Sequence, residues 1–452
     1  MGLPLRNQHP LRRVSDYADL AFTDPLTGLG NTRRFEDKVE RLIAERANDP
    51  APFTVGIIDL DGFKPINDLF GRKAGDDILV QVAMRLRASM DAHSTVARIG
   101  ADEFAFLCPL VFSEEAAVEK VNTLIEILSA PYDVGERMAR LSASAGCAVF
   151  SSGEDCCAAL MDKAETALYH AKRAGRRRVV VYSSEIEAAT RHTTRMEQAL
   201  RRAVAAGEVE AYFQPIVELQ TRRTIGFETL ARWTDPDLGA VSPSVFIPIA
   251  EERGIIGPLS QLVLRKATEA ARNWPAGLFL SFNLSPSQLV DQNTGLHILS
   301  ILDRSGFDPR RLEVEITETG LMTDPVSAEK ILNDLRVCGI KISLDDFGTG
   351  QSSLGRLRDM RFDKIKIDRA FVSSLLDDRP SEHIIKAILA MCEGLGMDVV
   401  AEGIEREEQV ERLQSFGCRS GQGFLFGRPV DAEATLRHLR DAVRSVARAQ
   451  AK

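Results

Sequence analysis

The sequence predicts an α/β protein with two folded domains, an α+β domain followed by a (β/α)₈ barrel. Its 452 residues correspond to two or three domains of roughly 150 residues each. Strand-like and helix-like runs alternate along the chain, and the second half holds eight strand-like runs separated by helical stretches. Eight alternating strands and helices over some 240 residues are typical of a closed barrel with parallel strands.

The composition is that of an ordinary folded protein. Hydrophobic residues make up 44% and charged residues 27% of the chain, and 57 Lys and Arg against 65 Asp and Glu give a net charge of −8. This balance argues against a partner that is a nucleic-acid polymer. The seven cysteines show no metal-ligand spacing, and no apolar run approaches the roughly 18 residues of a membrane span. We therefore expect a cytoplasmic protein with reduced thiols and no membrane association.

Shifts in composition and pattern predict four segments. They are an N-terminal tail, the α+β domain, a polar and alanine-rich helical connector, and the barrel domain, over residues 1–16, 17–183, 184–206 and 207–452.

The α+β domain is predicted from short runs of distinct periodicity. The run FTVGIIDL reads as a buried strand and GDDILVQVAMRL as a helix, while two strand-like pieces flank Gly100 and Ala101 as in a hairpin. RLSASAGCAVF, the helical CAALMDKAETALYHAKRAG and a final RRVVVY complete a sheet covered by helices.

The barrel strands are predicted from eight further runs. In chain order they are EAYFQPIV, TIGFETLARW, LFLSFNLS, LEVEITET, GIKISLDDFG, KIKID, DVVAEGI and GQGFLFG. A polar residue occurs late in each of them: Gln214, Glu228, Asn283, Glu315, Asp345, Lys366, Glu402 and Gln422. Because strand ends meet at one rim of a barrel, we expect these side chains to form a catalytic site.

The oxygen donors of this rim favour a hard cation. Six of them form a set without His or Cys, namely Glu228, Asn283, Glu315, Asp345, Asp346 and Glu402. Such ligands suit Mg²⁺ or Mn²⁺. The adjacent Asp345 and Asp346 could each serve one of two ions, as two-metal phosphoryl chemistry requires, and Lys366 is the single cation of the ring.

The barrel half resembles the EAL-domain family of cyclic di-GMP (c-di-GMP) phosphodiesterases. The signature occurs as Glu228-Thr229-Leu230, with a departure at its middle residue, and is accompanied by QPIV, FNLS, EITE, DDFGTG, KID, AEGIE and QGFLFGRP. The resemblance implies hydrolysis of c-di-GMP to linear pGpG and a homodimer. It implies that the six oxygen donors hold two divalent ions and that Lys366 positions the attacking water together with Asp346.

The same resemblance implies further roles around the ring. Gln214, Arg232 and Gln422 would contact bases or phosphates of the substrate. Glu318 and Glu405 would support the metal ligands from behind.

A second candidate site lies in the N-terminal half. Asp59 ends a buried strand, and Lys64 and a glycine-bearing turn follow it. Such a turn offers backbone N–H groups to phosphates, and an acidic residue beside it can hold the accompanying Mg²⁺. Asn67 and Asp76 carry the donor and acceptor groups that read a guanine edge. A surface or helix-capping role for each of these residues is the alternative.

This half resembles the GGDEF family, the diguanylate cyclases that join two GTP molecules into c-di-GMP. The supporting runs are DPLTGLGN, DLDGFKPIND, AGDD and ALYHAKRAGR, while the signature reads GADEF at Gly100 to Phe104, with Ala101 in place of a glycine. The resemblance implies that Asp59, Asp102 and Glu103 hold Mg²⁺ and that Lys172 and Arg176 meet the triphosphate. Because Ala resists a positive φ and adds a methyl group, we expect GTP binding without efficient turnover.

Three functions remain open at this stage. The first is a c-di-GMP phosphodiesterase regulated by GTP bound to the N-terminal domain. The second is a bifunctional enzyme whose cyclase also works. The third is a non-catalytic receptor that binds c-di-GMP and signals to a protein partner.

Overall fold

A computed structural model of the protein describes most of the chain, namely residues 21–46, 51–135, 137–150, 156–347 and 360–440. The predicted N-terminal tail, 1–16, lies outside these ranges. The chain divides into two compact units, Met1–His192 and Thr193–Lys452.

The N-terminal unit contains a central sheet with helices on both faces. Its helices are α1 (Thr32–Arg46), α2 (Phe63–Phe70), α3 (Arg72–Ser89), α4 (Glu114–Leu128) and α5 (Cys157–Arg173). Its strands are β1 (Phe53–Asp61), β2 (Thr95–Arg98), β3 (Glu103–Cys108), β4 (Tyr132–Val134), β5 (Arg137–Ala139), β6 (Ser142–Phe150) and β7 (Val179–Val181).

The strand β1 is the centre of this sheet because its residues are buried on both faces. The five-stranded sheet has the order β2-β3-β1-β6-β7, and β1 runs antiparallel to both neighbours. Ile57 belongs to the core beneath α1 and α5, whereas its neighbour Ile58 belongs to the core beneath α3 and α4. The alternation of side chains along a strand therefore accounts for the continuous apolar run of β1.

A long helix, α6 (Ser184–Ala206), follows the sheet and covers the segment predicted as a helical connector. After it come the strands β8 (Val209–Glu218), β9 (Thr224–Asp235), β10 (Gly239–Val241), β11 (Phe279–Leu284), β12 (Leu312–Thr317), β13 (Lys341–Phe347), β14 (Lys364–Ile367), β15 (Asp398–Ala401) and β16 (Ser420–Gln422).

Helices alternate with these strands. They are α7 (Pro243–Glu252), α8 (Ile256–Ala271), α9 (Thr294–Ser305), α10 (Glu318–Thr323), α11 (Pro325–Val337), α12 (Arg369–Ser374), α13 (Arg379–Leu395) and α14 (Glu407–Ser415).

Eight of the strands close into a barrel. The order is β9-β11-β12-β13-β14-β15-β16-β8, with β8 pairing back onto β9 and β10 added at the edge of β9. All eight predicted strand runs are found, and the predicted mixed α/β fold with a C-terminal barrel is confirmed. Among the described helices, none is both long and apolar enough to cross a membrane.

The first barrel strand differs from the parallel pattern. β8 runs antiparallel to both β9 and β16, whereas the remaining barrel pairs are parallel. The reason is the connection between β8 and β9, which is only the turn 219–223. A crossover to a parallel strand needs a dozen or more residues, so this short turn enforces a hairpin.

Candidate active site

The rim of the barrel collects the eight polar residues predicted from the strand ends. Strand register places Gln214 directly opposite Glu228, and Asn283 beside Glu315. Glu402 follows β15 immediately, and its N–H donates to the carbonyl of Ile367 at 3.1 Å. Most of these side chains are buried, so they form the floor of the barrel mouth.

Lys366 is the centre of this ring. Its side chain is only 2% exposed, and its Nζ lies 2.5 Å from Glu402 Oε1 and 2.7 Å from Glu315 Oε2. Glu228 Oε1 and Asp345 Oδ1 each lie 3.7 Å from the same ammonium. One buried cation is thus shared by four carboxylates, which leaves a surplus of negative charge at the site.

Glu228 is held in place by amide side chains from two other barrel strands, β11 and β16. Asn283 Nδ2 donates to Glu228 Oε1 at 2.7 Å, and Gln422 Nε2 donates to Glu228 Oε2 at 2.6 Å. Gln422 Nε2 also lies 3.1 Å from Gln214 Oε1, so the glutamine pair extends the network across β8. Both oxygens of Glu228 are therefore fixed by hydrogen bonds.

Glu315 has a hydrogen-bond partner, Ser281, that the sequence pattern did not predict. The hydroxyl of Ser281 donates to Glu315 Oε1 at 2.6 Å, and Ser281 is fully buried. Ser281 precedes Asn283 by two residues on β11, so both side chains face the barrel interior. A polar residue two positions before a predicted ligand was the available signal.

The carboxylates of the ring differ in protonation behaviour. Burial raises the pKa of Glu402 to about 8, and the neighbouring carboxylates add to this rise while Lys366 partly offsets it. Burial likewise raises the pKa of Glu315 well above its ordinary value. Burial would also raise the pKa of Glu228, but Lys366 and the two amide donors outweigh it, so the pKa falls. The crowding of buried carboxylates around one lysine therefore favours the uptake of a proton when no further cation is present.

Asp345 and Asp346 point to different neighbours. The pairing of β13 with β14 is irregular between Leu344 and Phe347, and Asp346 has a φ of +56°. Asp345 faces Lys366, whereas Asp346 lies against Asp368. Burial, together with the charges of Asp345 and Asp368, raises the pKa of Asp346 to about 6. A bulge thus turns adjacent aspartates toward separate positions.

The chemistry of these residues fits a hard cation. The donors are carboxylate and amide oxygens, and the buried Oε1 of Gln422 has no hydrogen-bond partner. Within the described ranges, no three or more His, Cys, Asp or Glu side chains are close enough together to hold a metal ion as they stand. Four of the carboxylates instead contact Lys366, so metal binding would require some of these contacts to rearrange.

A cleft of about 600 Å³ opens above the ring. Besides ring residues, its walls include Glu405, Arg369 and Phe424, of which the last two were not predicted. Arg232 is half-buried on the same face of β9 as Glu228, and it donates to the carbonyl of Ala231 at 2.8 Å. Glu318 is buried at the first position of α10.

The second site, in the N-terminal unit, centres on Asp59. Lys172 Nζ lies 2.6 Å from Asp59 Oδ2, and Glu103 pairs directly opposite Asp59 across β3 and β1. Burial raises the pKa values of both acids, with the Lys172 charge partly offsetting the rise at each of them. Arg176 Nε lies 4.0 Å from Asp61 Oδ1. Asp59, Glu103 and Lys172 therefore lie together at the end of β1, whereas Arg176 lies beside Asp61, which was not predicted.

The other predicted nucleotide contacts lie on α2 and α3. Lys64 and Asp76 are exposed. Asn67 packs against Gly75, where an added Cβ would come within 2.0 Å of Asn67 Oδ1. A glycine at position 75 therefore allows the close approach of α2 and α3.

Comparison with known proteins decides the family. The EAL domain family matches residues 197–429, more than half of the 452-residue chain. The protein belongs to the EAL domain family. The diguanylate cyclase, GGDEF domain, family matches residues 21–178, so the two domains occur in tandem.

Similar proteins include tandem proteins of Pseudomonas aeruginosa. The chain is 37% identical over 429 residues to the bifunctional diguanylate cyclase/cyclic di-GMP phosphodiesterase MucR, covering 94% of this chain and 62% of MucR. It is 32% identical over 434 residues to the cyclic di-GMP phosphodiesterase NbdA, covering 95% of this chain and 54% of NbdA. The chain thus spans between about half and two thirds of these curated relatives.

A solved structure resembles the EAL domain. The PaMucR phosphodiesterase in its c-di-GMP complex is 36% identical, with a TM-score of 0.52, and the match covers 53% of this chain and 99% of that chain.

The EAL signature residue Thr229 faces away from the ring. Its side chain is 3% exposed and its hydroxyl is buried without a hydrogen-bond partner. The flanking Glu228 and Leu230 both line the cleft. The departure at the middle of the signature therefore leaves the polar face of the EAL domain unchanged.

The signature turn of the GGDEF domain differs from its expected conformation. In this described turn neither Gly100 nor Ala101 has a positive φ. The Ala101 carbonyl accepts a hydrogen bond from Arg98 Nη2 at 2.7 Å. Alanine is thus accommodated without backbone strain, and the expected effect of Ala101 reduces to the space taken by its methyl group.

Proposed function

We propose that the EAL domain hydrolyses c-di-GMP to linear pGpG. The observation that carries the proposal is the ring of carboxylates around Lys366. Each polar residue predicted from a strand end either belongs to this ring or lies next to it. The similarity to MucR and NbdA and to the c-di-GMP complex of PaMucR supports the same substrate. A cleft of about 600 Å³ is of suitable size for such a ligand.

The proposed metal ligands are the six oxygen donors of the ring and of β13: Glu228, Asn283, Glu315, Asp345, Asp346 and Glu402. Two Mg²⁺ or Mn²⁺ ions would activate water and neutralise the charge that develops on the phosphate oxygens. Our proposal assigns Lys366, with Asp346, to orient the water for in-line attack on phosphorus. The P–O3′ bond breaks as the new P–O bond forms, and the leaving 3′-oxygen takes up a proton.

We assign Gln214, Gln422 and Arg232 to the substrate, and Glu318 and Glu405 to support of the ligand shell. Gln422 and Gln214 already contact Glu228 or one another, which favours a role at the ring. Arg232 would supply positive charge above the carboxylates.

The phosphodiesterase is tested by chromatography of the products formed from c-di-GMP with Mg²⁺ or Mn²⁺. We expect pGpG from the wild-type protein and none from Glu228→Ala. Intact dinucleotide with both metals would contradict the proposal, and tight binding without turnover would favour the receptor alternative.

We further propose that the GGDEF domain binds GTP·Mg²⁺ as a regulatory ligand, through Asp59, Lys64, Asn67, Asp76, Asp102, Glu103, Lys172 and Arg176. The contact of Lys172 with Asp59 places a cation beside the acidic cluster. GTP should change the rate of c-di-GMP hydrolysis, and Lys172→Ala should remove this response. A homodimer is the expected assembly, and light scattering tests it.

A bifunctional enzyme is the second candidate. The unstrained turn at Ala101 favours it, and the MucR relative carries both activities in its name. Formation of c-di-GMP from GTP in the Glu228→Ala background would establish it.

A further inference from the structure

An arginine lines the cleft without pairing to any of the acids around it. Arg369 is the first residue of α12, shortly after Lys366 in the chain, and it is exposed. Within the part of the chain that the structure describes, its guanidinium makes no hydrogen bond and no ion pair. An arginine beside carboxylates commonly forms a charge-assisted pair with one of them. A guanidinium left unpaired here is therefore available to an anionic ligand.

Two of the neighbouring acids are engaged by other groups. Glu402 Oε1 lies 2.5 Å from Lys366 Nζ, and the Asp368 carboxylate accepts a hydrogen bond from a backbone N–H of α12 at 2.7 Å. Glu405 lines the same cleft, and among the described residues no ion pair joins it to Arg369. The acids of the cleft therefore leave the charge of Arg369 unpaired.

The base of the Arg369 side chain is held beside the ring. A Cβ at Gly403 would come within 2.5 Å of Arg369 Cβ, and Gly403 has a φ of +69°, a conformation that favours glycine. The preceding residue, Glu402, donates its N–H to the Ile367 carbonyl at 3.1 Å, which ties this segment to β14. Arg369 thus starts from a fixed position next to a residue of the ring, while its guanidinium remains accessible.

The charges of the cleft single out Arg369 as its available cation. Among the described residues that line the cleft, the cations are Lys366 and Arg369, and the acids are Glu228, Asp345, Glu402 and Glu405. Lys366 already contacts four carboxylates. Arg369 is the cation that remains for a ligand. Its planar guanidinium presents paired N–H donors, which match two oxygens of one phosphate group.

The chemistry of a cyclic dinucleotide supplies the matching anion. Such a molecule carries two phosphodiesters on opposite sides of one closed ring of atoms. When one phosphodiester lies at the ring of carboxylates, the other is held elsewhere in the cleft. A ligand with a single phosphodiester has no second anion to place. A cation on the cleft wall, separate from Lys366, therefore distinguishes these two classes of ligand.

We propose that Arg369 binds the second, uncleaved phosphodiester of a cyclic dinucleotide while the ring at Lys366 acts on the first. Arg369 is then a specificity-determining residue, which favours substrates with two phosphodiesters over substrates with one. This inference rests on the phosphodiesterase proposed above and names a group that selects its substrate class.

Steady-state kinetics with two substrates test the assignment. With c-di-GMP, we expect Arg369→Ala to raise KM roughly 10- to 100-fold, the range of a hydrogen bond to a charged group. It should leave kcat within about twofold, because the contact is the same in the ground state and the transition state. Arg369→Lys keeps the charge without the paired donors and should give an intermediate KM. With bis(p-nitrophenyl) phosphate, which has one phosphodiester, both variants should keep the wild-type kcat/KM.

Arg304→Ala is the matched control. Arg304 is also exposed, and it lies in the last turn of α9, where it lines a different groove with residues of α6 and α8. The control removes the same charge from the barrel unit and should leave KM unchanged for both substrates.

The outcomes separate the two proposals. If the wild-type protein hydrolyses c-di-GMP and Arg369→Ala keeps its KM, the role of Arg369 is wrong and the phosphodiesterase stands. Equal losses with c-di-GMP and bis(p-nitrophenyl) phosphate would show that Arg369 supports the ring itself, which would also overturn the proposal. If the wild-type protein does not hydrolyse c-di-GMP, the phosphodiesterase is wrong and equilibrium binding still tests Arg369. Arg369→Ala must then weaken the affinity for c-di-GMP by the same factor, and Arg304→Ala must not.

Discussion

Lys364 and Glu313 form a buried ion pair inside the barrel, one layer below the functional ring, with 2.6 Å between Nζ and Oε2. The two residues precede Lys366 and Glu315 by two positions on the same strands, so two lysine–glutamate pairs are stacked along the barrel axis. The lower pair is almost inaccessible, with side chains 9% and 3% exposed, and Lys364 Nζ also lies 4.0 Å from the Phe279 ring centroid. We therefore expect the lower pair to influence stability and the upper pair to influence chemistry.

Removing one member of the lower pair should destabilise the barrel strongly. Glu313→Leu leaves the Lys364 ammonium buried without its partner, which costs about 3–5 kcal/mol of unfolding free energy. The double variant Glu313→Leu with Lys364→Met removes both charges and should recover most of this loss. The free energy of unfolding is measured by urea unfolding. Tryptophan fluorescence reports on the barrel, because both tryptophans of the chain, Trp233 and Trp274, lie in the barrel unit. Equal destabilisation of the single and double variants would contradict the pairing.

Ser281→Ala should impair catalysis more than stability. The variant removes the 2.6 Å hydrogen bond that orients Glu315, and loss of such a supporting contact lowers metal affinity or activity by roughly 10- to 100-fold. Activity is measured over a titration of Mn²⁺. Ser305→Ala is the control, because Ser305 is also buried but donates to the Leu302 carbonyl, away from the ring. Equal activity of the two variants would show that Glu315 does not need Ser281.

Loading the proposed metal site at pH 7 should release protons. Burial raises the pKa of Glu402 to about 8 in the ion-free site, and a metal ligand must be deprotonated. Metal affinity should therefore rise with pH up to about 8. The ion-free barrel should instead lose stability as pH rises from the ordinary pKa of glutamate, roughly 4.3, toward about 8, because the folded state binds more protons than the unfolded state in this window.

Calorimetry of Mn²⁺ binding in two buffers with different ionisation enthalpies measures the release. We expect protons to be released on Mn²⁺ binding near pH 7, and fewer of them in Glu402→Gln. A binding enthalpy that is the same in both buffers would rule out the raised pKa.

The barrel and its ring were predictable because both follow from strand periodicity. Buried strands give short runs of apolar residues, and the polar residue that ends each run marks the rim. Lys366 and its four carboxylates could thus be named before their contacts were known.

Other features depend on distances that a single sequence does not encode. Ser281 is one of many serines in strands, and its importance arises from the register that places it beside Glu315. Phe424 is apolar like a core residue, yet it is half exposed and lines the cleft, next to a glycine that closely approaches Ile404. The separate directions of Asp345 and Asp346 depend on a bulge in β13.

Ala101→Gly tests whether the GGDEF signature is impaired by its methyl group. Since Ala101 has no positive φ, glycine relieves no backbone strain, and the variant should lose roughly 0.4–1 kcal/mol of stability through the greater freedom of its unfolded chain. If the methyl group alone hinders the nucleotide, the variant should form c-di-GMP from GTP faster than the parent, both in the Glu228→Ala background. Gly100→Ala is the opposite change. A Cβ at position 100 would come within 2.6 Å of Glu103 Oε2, so it should displace this proposed Mg²⁺ ligand and reduce both GTP binding and turnover. Unchanged product formation in Ala101→Gly would mean that the turn at Ala101 does not limit the cyclase.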